Sequence, residues 1–404
     1  MTLMSASRSR RKVIPENVAA YVTAVVFSLL LAATTNLQAQ WRASVAVEER
    51  VFKDATIGAG ASRYETALIF NGSFFHVWDG GYQALSIEPF LRLDIAPGGS
   101  GRADLREASW QYNRARWQVR IGMREVYWGV VESRQLVDVL NQRELVVAGP
   151  GYVKLGQAMV NVATNQEWAR LDLFLVPWFR ERTSSGRARL LWSSLPIDTE
   201  HARRGPGARR RLLDWAVRWA HSLGDWDIGL SHFSGTNREP RFLLGQGLSG
   251  IPVAVPCYEI VDQTSLDLQW TTRGWLWKLE ARMSDFETGR YAAVAGGFEY
   301  AFTDYMGIFL EYVFDSRGEL STTSFADDFF VGARLLLHEG IIQATTFADR
   351  KTGNSVLSLV ASRRIGNIAS VGLEAQAFLG SGSREPAFAP RQHTHLTLSV
   401  SHFF

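Results

Sequence analysis

The chain has 404 residues with 43 Lys and Arg against 40 Asp and Glu, so its formal net charge is only +3 at pH 7. This near balance gives no reason to expect a nucleic-acid partner. The mean hydropathy of −0.07 is too low for a bundle of membrane-spanning helices, but it suits strands that alternate apolar and polar side chains. Cys257 is the single cysteine, which excludes an internal disulfide bond and predicts a free thiol in a loop.

Residues 1–39 have the pattern of a secretory signal peptide. Positive charges within residues 8–12 precede an apolar run from Val18 to Leu31, and small and polar residues then lead to Ala39. The apolar run is shorter than the roughly 20 residues that a membrane-spanning helix needs, so we expect cleavage after Ala39 rather than a membrane anchor. The remaining residues, 40–404, are expected to form a single exported domain.

From Trp41 onward, apolar residues recur at every second position, which is the period of a half-buried strand. Clear examples lie within residues 85–93, 117–123, 266–270, 275–281, 308–314 and 371–377. One alternating segment is weak evidence for a membrane strand. Many of them in one exported chain, each in a stretch near the 9–11 residues that a tilted membrane strand needs, indicate a barrel.

Every second link between these segments is short. The short links fall at residues 79–82, 113–116, 165–166, 223–225, 271–274, 303–305, 339–340 and 365–367. The intervening links include the long segments 129–156, 179–212 and 235–257. Short periplasmic turns and longer outer loops are typical of barrels in the cell outer membrane. We therefore predict an all-β fold, a transmembrane antiparallel β-barrel of about 18 strands (16–18), with a water-filled lumen unless loops enter it.

The most distinctive stretch runs from Arg124 to Glu144. It enters an outer loop after Trp128-Gly129 but remains rich in aliphatic residues, which favours a loop folded into the lumen and packed on the wall. We interpret it as a constriction loop, with the alternative that it merely caps the barrel. The polar residues expected to line the constriction from this stretch are Arg124, Glu132, Arg134, Asp138, Asn141, Gln142 and Arg143. The wall is expected to add Arg120, Arg218, Arg282 and Arg334.

The same stretch resembles a motif of Gram-negative outer-membrane barrels related to alginate-export-type porins. Their element of tryptophan, glycine and glutamate is matched at Trp128-Gly129, but Val130 replaces the acidic residue and Glu132 is its nearest substitute. Their asparagine-containing turn is matched by residues 140–144, with Glu144 at the acidic position. The resemblance covers some 20 residues and implies a large monomeric porin-like barrel for polar solutes.

Charged side chains on the predicted inner face form two sets of opposite sign. The basic set is Arg92, Arg120, Arg124, Arg218, Lys278, Arg282, Arg334 and Arg363, and the acidic set is Glu88, Asp94, Glu107, Glu280, Glu299, Glu311 and Glu374. Each residue alone is expected to pair within the wall. Rings of such charges together also set which solutes pass.

The predicted outer loop at residues 179–212 is rich in arginine. Its clustered members include Arg203, Arg204, Arg209, Arg210 and Arg211. Arginine binds phosphate through two parallel hydrogen bonds, so this external basic loop is a candidate site for lipopolysaccharide phosphates. A solvated loop without a ligand is the alternative.

The last predicted strand places Leu396, Leu398, Val400 and Phe404 on one face. This alternation before a final aromatic residue resembles the assembly signal of bacterial outer-membrane barrels. The resemblance implies that the barrel assembly machinery and the outer-membrane lipid are partners.

No constellation of residues predicts a reaction. Ser231-His232 are neighbours in a predicted strand, so their side chains point to opposite faces and cannot act together. No histidine spacing indicates a metal site, and no cofactor is expected. The sequence favours a porin-like channel for passive diffusion of small polar or anionic solutes. Three alternatives stay open: a hydrolase or lipid-modifying enzyme in the barrel wall, a loop-sealed surface-binding barrel, and a polysaccharide exporter.

Overall fold

A computed structural model describes residues 39–53, 62–95, 101–144, 153–182, 195, 197–205, 213–247, 250, 252–318, 326–380 and 394–404. The predicted signal peptide, apart from Ala39, lies outside these residues. No helix in the described part of the chain is long and apolar enough to cross a membrane.

The described residues form 23 strands. In chain order they are β1 (Ala39–Phe52), β2 (Tyr64–Trp78), β3 (Gln83–Asp94), β4 (Gly101–Arg114), β5 (Trp117–Arg124), β6 (Arg143–Glu144), β7 (Val153–Lys154), β8 (Gln157–Asn165), β9 (Arg170–Val176), β10 (Arg203–Arg204), β11 (Asp214–Leu223), β12 (Trp226–Thr236), β13 (Arg241–Gln246), β14 (Pro252–Tyr258), β15 (Ile260–Thr272), β16 (Trp275–Phe286), β17 (Gly289–Thr303), β18 (Met306–Asp315), β19 (Asp327–Leu337), β20 (Gly340–Asp349), β21 (Ser355–Ile365), β22 (Ala369–Leu379) and β23 (His395–Phe403). One 3-10 turn, Asp79–Gly81, follows β2.

Eighteen of these strands form one closed antiparallel sheet. Strand β1 pairs with β2 on one side and with β23 on the other, from Ser44 opposite Phe403 to Phe52 opposite His395. Closure leaves no strand edge with unpaired backbone groups, which is the condition for strands to cross a bilayer. The predicted 18-stranded barrel is therefore confirmed. Strands β6, β7, β10, β13 and β14 lie outside this sheet, in the long loops.

Short and long links alternate around the barrel as expected. Short turns join β4 to β5, β11 to β12, β15 to β16 and β17 to β18, whereas the longest links are residues 125–156, 177–213 and 237–259. All the long links therefore lie at one end of the barrel, which we call the loop end. The opposite end is the turn end.

The outer face of the wall is apolar. On β23, Leu396, Leu398 and Val400 are exposed, as is Phe404 directly after the strand, whereas His395 and Thr397 point inward and are buried. Aromatic rings cluster on the outer face near the short turns: Trp226 stacks on Trp270 at 5.4 Å, and other close ring pairs are Trp275–Trp277 and Trp275–Tyr300. An apolar belt with an aromatic girdle is the surface that a bilayer requires.

Two details differ from the sequence-based expectations. Arg363, which we placed on the inner face, is the cross-strand partner of Val371 on the exposed outer face, and its neighbour Arg364 faces the lumen instead. The alternation has a period of two, so an error of one position reverses the face. Strand β5 also ends at Arg124, so the following loop begins before Trp128.

Candidate functional site

The link after β5 turns into the barrel and packs against its inner wall. We call residues 125–142 the inner loop. Its apolar side chains form a buried cluster with those of the wall: Val126, Trp128, Val137, Val139 and Leu140 from the loop, and Met159, Phe174, Val176, Ala216, Phe233 and Val261 from β8 to β15. Burying one such side chain is worth about 1.5–3 kcal/mol. This packing explains why the sequence keeps aliphatic residues in a loop.

Glu280 of β16 holds the backbone of the inner loop. One carboxylate oxygen accepts the amides of Val130 at 2.7 Å and Val131 at 3.1 Å. The other oxygen accepts the amides of Leu136 at 2.6 Å and Val137 at 3.2 Å. Four backbone amides therefore surround one fully buried carboxylate, and removing it would leave all four without an acceptor.

Glu311 of β18 makes a second attachment. Its two carboxylate oxygens accept the amides of Glu132 and Ser133, each at 2.9 Å. Glu280 and Glu311 both face the lumen, and we call them the anchor carboxylates. They hold the middle of the inner loop against the wall on the far side from β5.

Gly129 is required where the inner loop meets Glu280. Its φ is +106°, and a Cβ atom at this position would lie 2.5 Å from the Glu280 Oε1 atom. We expect Gly129→Ala to cost about 1–3 kcal/mol through backbone strain and this clash. Hydrogen exchange of the Val130 and Val131 amides should therefore become faster.

The matched control for this substitution is Gly224→Ala. Gly224 also has a positive φ, but no atom lies within 4 Å of an added Cβ. If the Val130 amide exchanged hydrogen at the same rate in the two variants, the role assigned to Gly129 would be wrong.

Polar side chains at the base of the inner loop are buried. Asn141 donates to the carbonyls of Arg124 and Leu155 and accepts the amide of Val126. Asp138 forms ion pairs with Arg143 and with Lys154 of β7. Gln142, like Asn141, has almost no exposed surface; it is 0% exposed and accepts the amide of Arg143.

A cluster of three arginines and two carboxylates joins the inner loop to two other loops. Arg134 of the inner loop, Arg282 of β16 and Arg317 after β18 all contact both Glu239 and Asp315, at 2.6–3.4 Å. Burial alone would raise the pKa of Glu239, but the arginines outweigh it and hold the pKa well below its usual range. We call these five residues the arginine cluster.

Glu132 joins the inner loop to the wall through a second charge network. Its carboxylate pairs with Lys278 and with Arg334, each at 3.0 Å, and both cations also pair with Glu299. Elsewhere on the wall, Arg218 forms two hydrogen bonds of 2.7 Å with Asp267 and lies over the Trp128 ring. These predicted charges are thus paired within the wall and the loop.

Other lumen-facing cations have no carboxylate partner or only a distant one. Arg124 is buried, with Asn161 at 3.3 Å and the Glu107 carboxylate at 3.7 Å. In the described part of the chain, Arg120 forms no ion pair, and its Nε atom has no hydrogen-bond partner. Arg106, which the sequence did not single out, stacks over the Phe90 ring at 4.0 Å and forms no ion pair within the same residues.

The outer loops carry a small sheet that the sequence did not predict. Strand β14 pairs with β13 and β10. Arg203 and Arg204 form β10, and Arg204 pairs with Glu181. Cys257 is a free thiol, as expected, but it is buried within strand β14. Arg209, Arg210 and Arg211 lie outside the described residues.

The described residues contain no group of three or more potential metal ligands. Ser231 is buried and faces the lumen, whereas His232 is on the outer face, where its ring contacts Thr264 at 2.9 Å. The two residues therefore lie on opposite faces, as predicted from the alternation.

No protein-family model matches the chain, and no curated protein matches it. Two barrels of Pseudomonas aeruginosa share its fold: OccK2 (OpdF) in complex with glucuronate, at 12% identity and a TM-score of 0.56, and OccK11 (OpdR), at 9% and 0.53. Each match covers 91% of this chain, with 98% and 95% of the two barrels. A mutant Rh. blastica porin matches at 11% identity and a TM-score of 0.43, over 91% of this chain and all of that one.

These similarities and the closed 18-stranded wall confirm the expected porin-like barrel fold. They do not test the resemblance to alginate-export-type barrels.

Proposed function

We propose that this barrel is an outer-membrane channel for passive diffusion of small polar solutes, with a preference for anionic ones. One observation carries the proposal: the anchor carboxylates hold the inner loop on one side of the lumen, and the rest of the wall remains polar. An 18-stranded barrel is wide enough for an aqueous path when its loops leave a gap. Current through single molecules in a planar bilayer tests the channel directly.

In this proposal the inner loop narrows the lumen. Glu132 and Arg334 are the charged groups at its inward edge, and their pairing fixes the width of the gap. Arg134, Lys278, Asp138, Asn141 and Gln142 are buried, so we assign them to supporting the loop rather than to contacting solute.

The wall away from the inner loop is polar. Its inward positions on β21 to β2 hold hydroxyl and amide groups: Ser362, Ser370, Ser399, Ser401, Ser44, Asn71 and Ser73. Such groups can exchange hydrogen bonds with a passing hydroxylated solute. OccK2, which shares the fold, was solved with glucuronate, a hydroxylated anion, in keeping with this solute class.

The preference for anions rests on arginines that lack a carboxylate partner. Arg120 and Arg106 face the lumen without an ion pair in the described part of the chain, so their positive potential reaches the solute path. The paired cations Arg218 and Arg282 contribute less, because their carboxylates cancel most of their field.

We expect Arg120→Gln to lower the anion-to-cation permeability ratio by roughly two- to fivefold, as for a solvated charge worth up to about 1 kcal/mol. Reversal potentials under a salt gradient measure the ratio. Arg363→Gln removes the same charge from the outer face and should leave the ratio unchanged. An unaltered reversal potential in the Arg120→Gln variant would show that Arg120 does not act on the solute path.

Two partners belong to the same proposal. The outward alternation of β23, with Leu396, Leu398 and Val400, supports recognition by the barrel assembly machinery. The exposed Arg203 at the loop end supports contact with lipopolysaccharide phosphates, since arginine pairs with phosphate through two hydrogen bonds.

A further inference from the structure

A cavity of about 710 Å³ opens on the lumen near the turn end, away from the inner loop. Its floor lies on β1 to β4, and the turn after β21 closes one side with Asn367 and Ile368. No inner-loop residue is among those that line it. The charged residues lining it are Arg42, Arg106, Arg364 and Glu88.

Three arginines and one glutamate thus line this cavity. None of the three arginines forms an ion pair with a described residue, and Glu88 forms none either. Arg106 stacks on the Phe90 ring at 4.0 Å, and Arg364 stacks on the Phe403 ring at 5.1 Å. An arginine held against an aromatic ring loses less side-chain freedom when it binds an anion, because the ring already limits its positions.

Neutral polar groups line the cavity together with apolar residues such as Pro89, Ile368 and Phe403. Ser44 and Ser73 lie on its β1 and β2 walls, and Asn71 lies beside them. Hydroxyl and amide groups can donate to and accept from the hydroxyls of a ligand. The volume falls within the range of about 300–1,000 Å³ that is usual for small-molecule sites.

We infer that this cavity is a binding site for a small hydroxylated oxyanion, such as a sugar acid, at the turn end of the lumen. The guanidinium groups of Arg42, Arg106 and Arg364 take the oxyanion, and the serine and asparagine side chains take the hydroxyls. The inference rests on the proposed channel function and adds to it a solute-binding site that is separate from the inner loop.

Binding to the detergent-solubilised full-length barrel tests the site without requiring current. The probe is gluconate, and its binding is measured by saturation-transfer NMR. Acetate, which has only the carboxylate, and sorbitol, which has only the hydroxyls, are the comparison probes. We expect gluconate to bind more tightly than either. Arg364→Gln should weaken gluconate binding about threefold, and the Arg42→Gln/Arg364→Gln pair about tenfold, in the range for solvent-exposed charge pairs.

Arg363→Gln is the matched control, because Arg363 precedes Arg364 in the same strand but points to the outer face. Its dissociation constant for gluconate should equal that of the unsubstituted protein. The inference is overturned if gluconate does not bind, if acetate or sorbitol binds as tightly as gluconate, or if the Arg364 and Arg363 variants bind gluconate equally well. A barrel that binds gluconate with the expected pattern but passes no current would support this site and contradict the proposed channel.

Discussion

Replacing both Glu280 and Glu311 with alanine is expected to raise single-channel conductance roughly twofold, since an 18-stranded barrel encloses a wide aqueous lumen once no loop fills it. Six backbone amides of the inner loop lose their acceptors in this variant. A hydrogen bond to a charged group contributes about 1.5–3 kcal/mol. The combined loss is comparable to the free energy with which the apolar side chains hold the loop, so the loop should leave the wall.

Two further variants serve as an intermediate case and as a control for this conductance change. Glu280→Gln keeps the shape of the side chain and one oxygen that can accept hydrogen bonds from the loop amides. The conductance of this variant should therefore lie between those of the parent and the double variant. Glu374→Ala removes a lumen-facing carboxylate of β22 that makes no contact with the inner loop, and its conductance should match that of the parent. A double variant that folds and conducts like the parent would show that the inner loop does not limit the path.

Glu239→Gln is expected to destabilise the loop end by about 3–5 kcal/mol, the cost of removing one partner from a buried ion pair. Three arginines would then share the charge of Asp315 alone. The inner loop is tied to this cluster through Arg134. Hydrogen exchange around Arg134 and Arg317 should accelerate, whereas strands at the turn end should keep their protection.

Glu287→Gln is the control, because Glu287 lies exposed in the turn between β16 and β17. The effect of acid follows from the direction of the Glu239 pKa. Because the folded pKa is lowered, the stabilisation is fully present above the unfolded value of about 4.3 and is lost only as the pH falls through the folded value. The parent should therefore keep slow exchange at Arg134 at pH 5, where the variant has already lost it. Slow exchange in the variant at neutral pH would contradict the role given to Glu239.

The barrel could be predicted from sequence because its signals are local. Alternation within each strand and short turns such as Gly224–Asp225 are read from adjacent residues, and counting them yields the strand number. The aliphatic residues Leu136, Val137 and Leu140 similarly indicated that the loop after β5 packs on the wall. Arg363 was assigned to the wrong face because a shift of one residue along a strand reverses the face.

The chemistry inside the barrel depends on contacts between distant residues. Arg134 meets Glu239 across 105 positions and Asp315 across 181, so no local pattern indicates the arginine cluster. Glu280 was recognised as a lumen carboxylate, but its bonds to four loop amides require the folded path of the loop. Strands β10, β13 and β14 are short pieces within long loops, where alternation is too brief to be recognised.

The proposed function requires that ions pass the inner loop through the lumen. This can be measured by single-channel recording of the purified, refolded protein in a planar bilayer under a salt gradient. We expect stable conductance steps with a reversal potential of the sign that anion preference gives. A barrel that is folded by its strand content, yet gives no steps, would contradict the proposed function and mean that the loops seal the lumen.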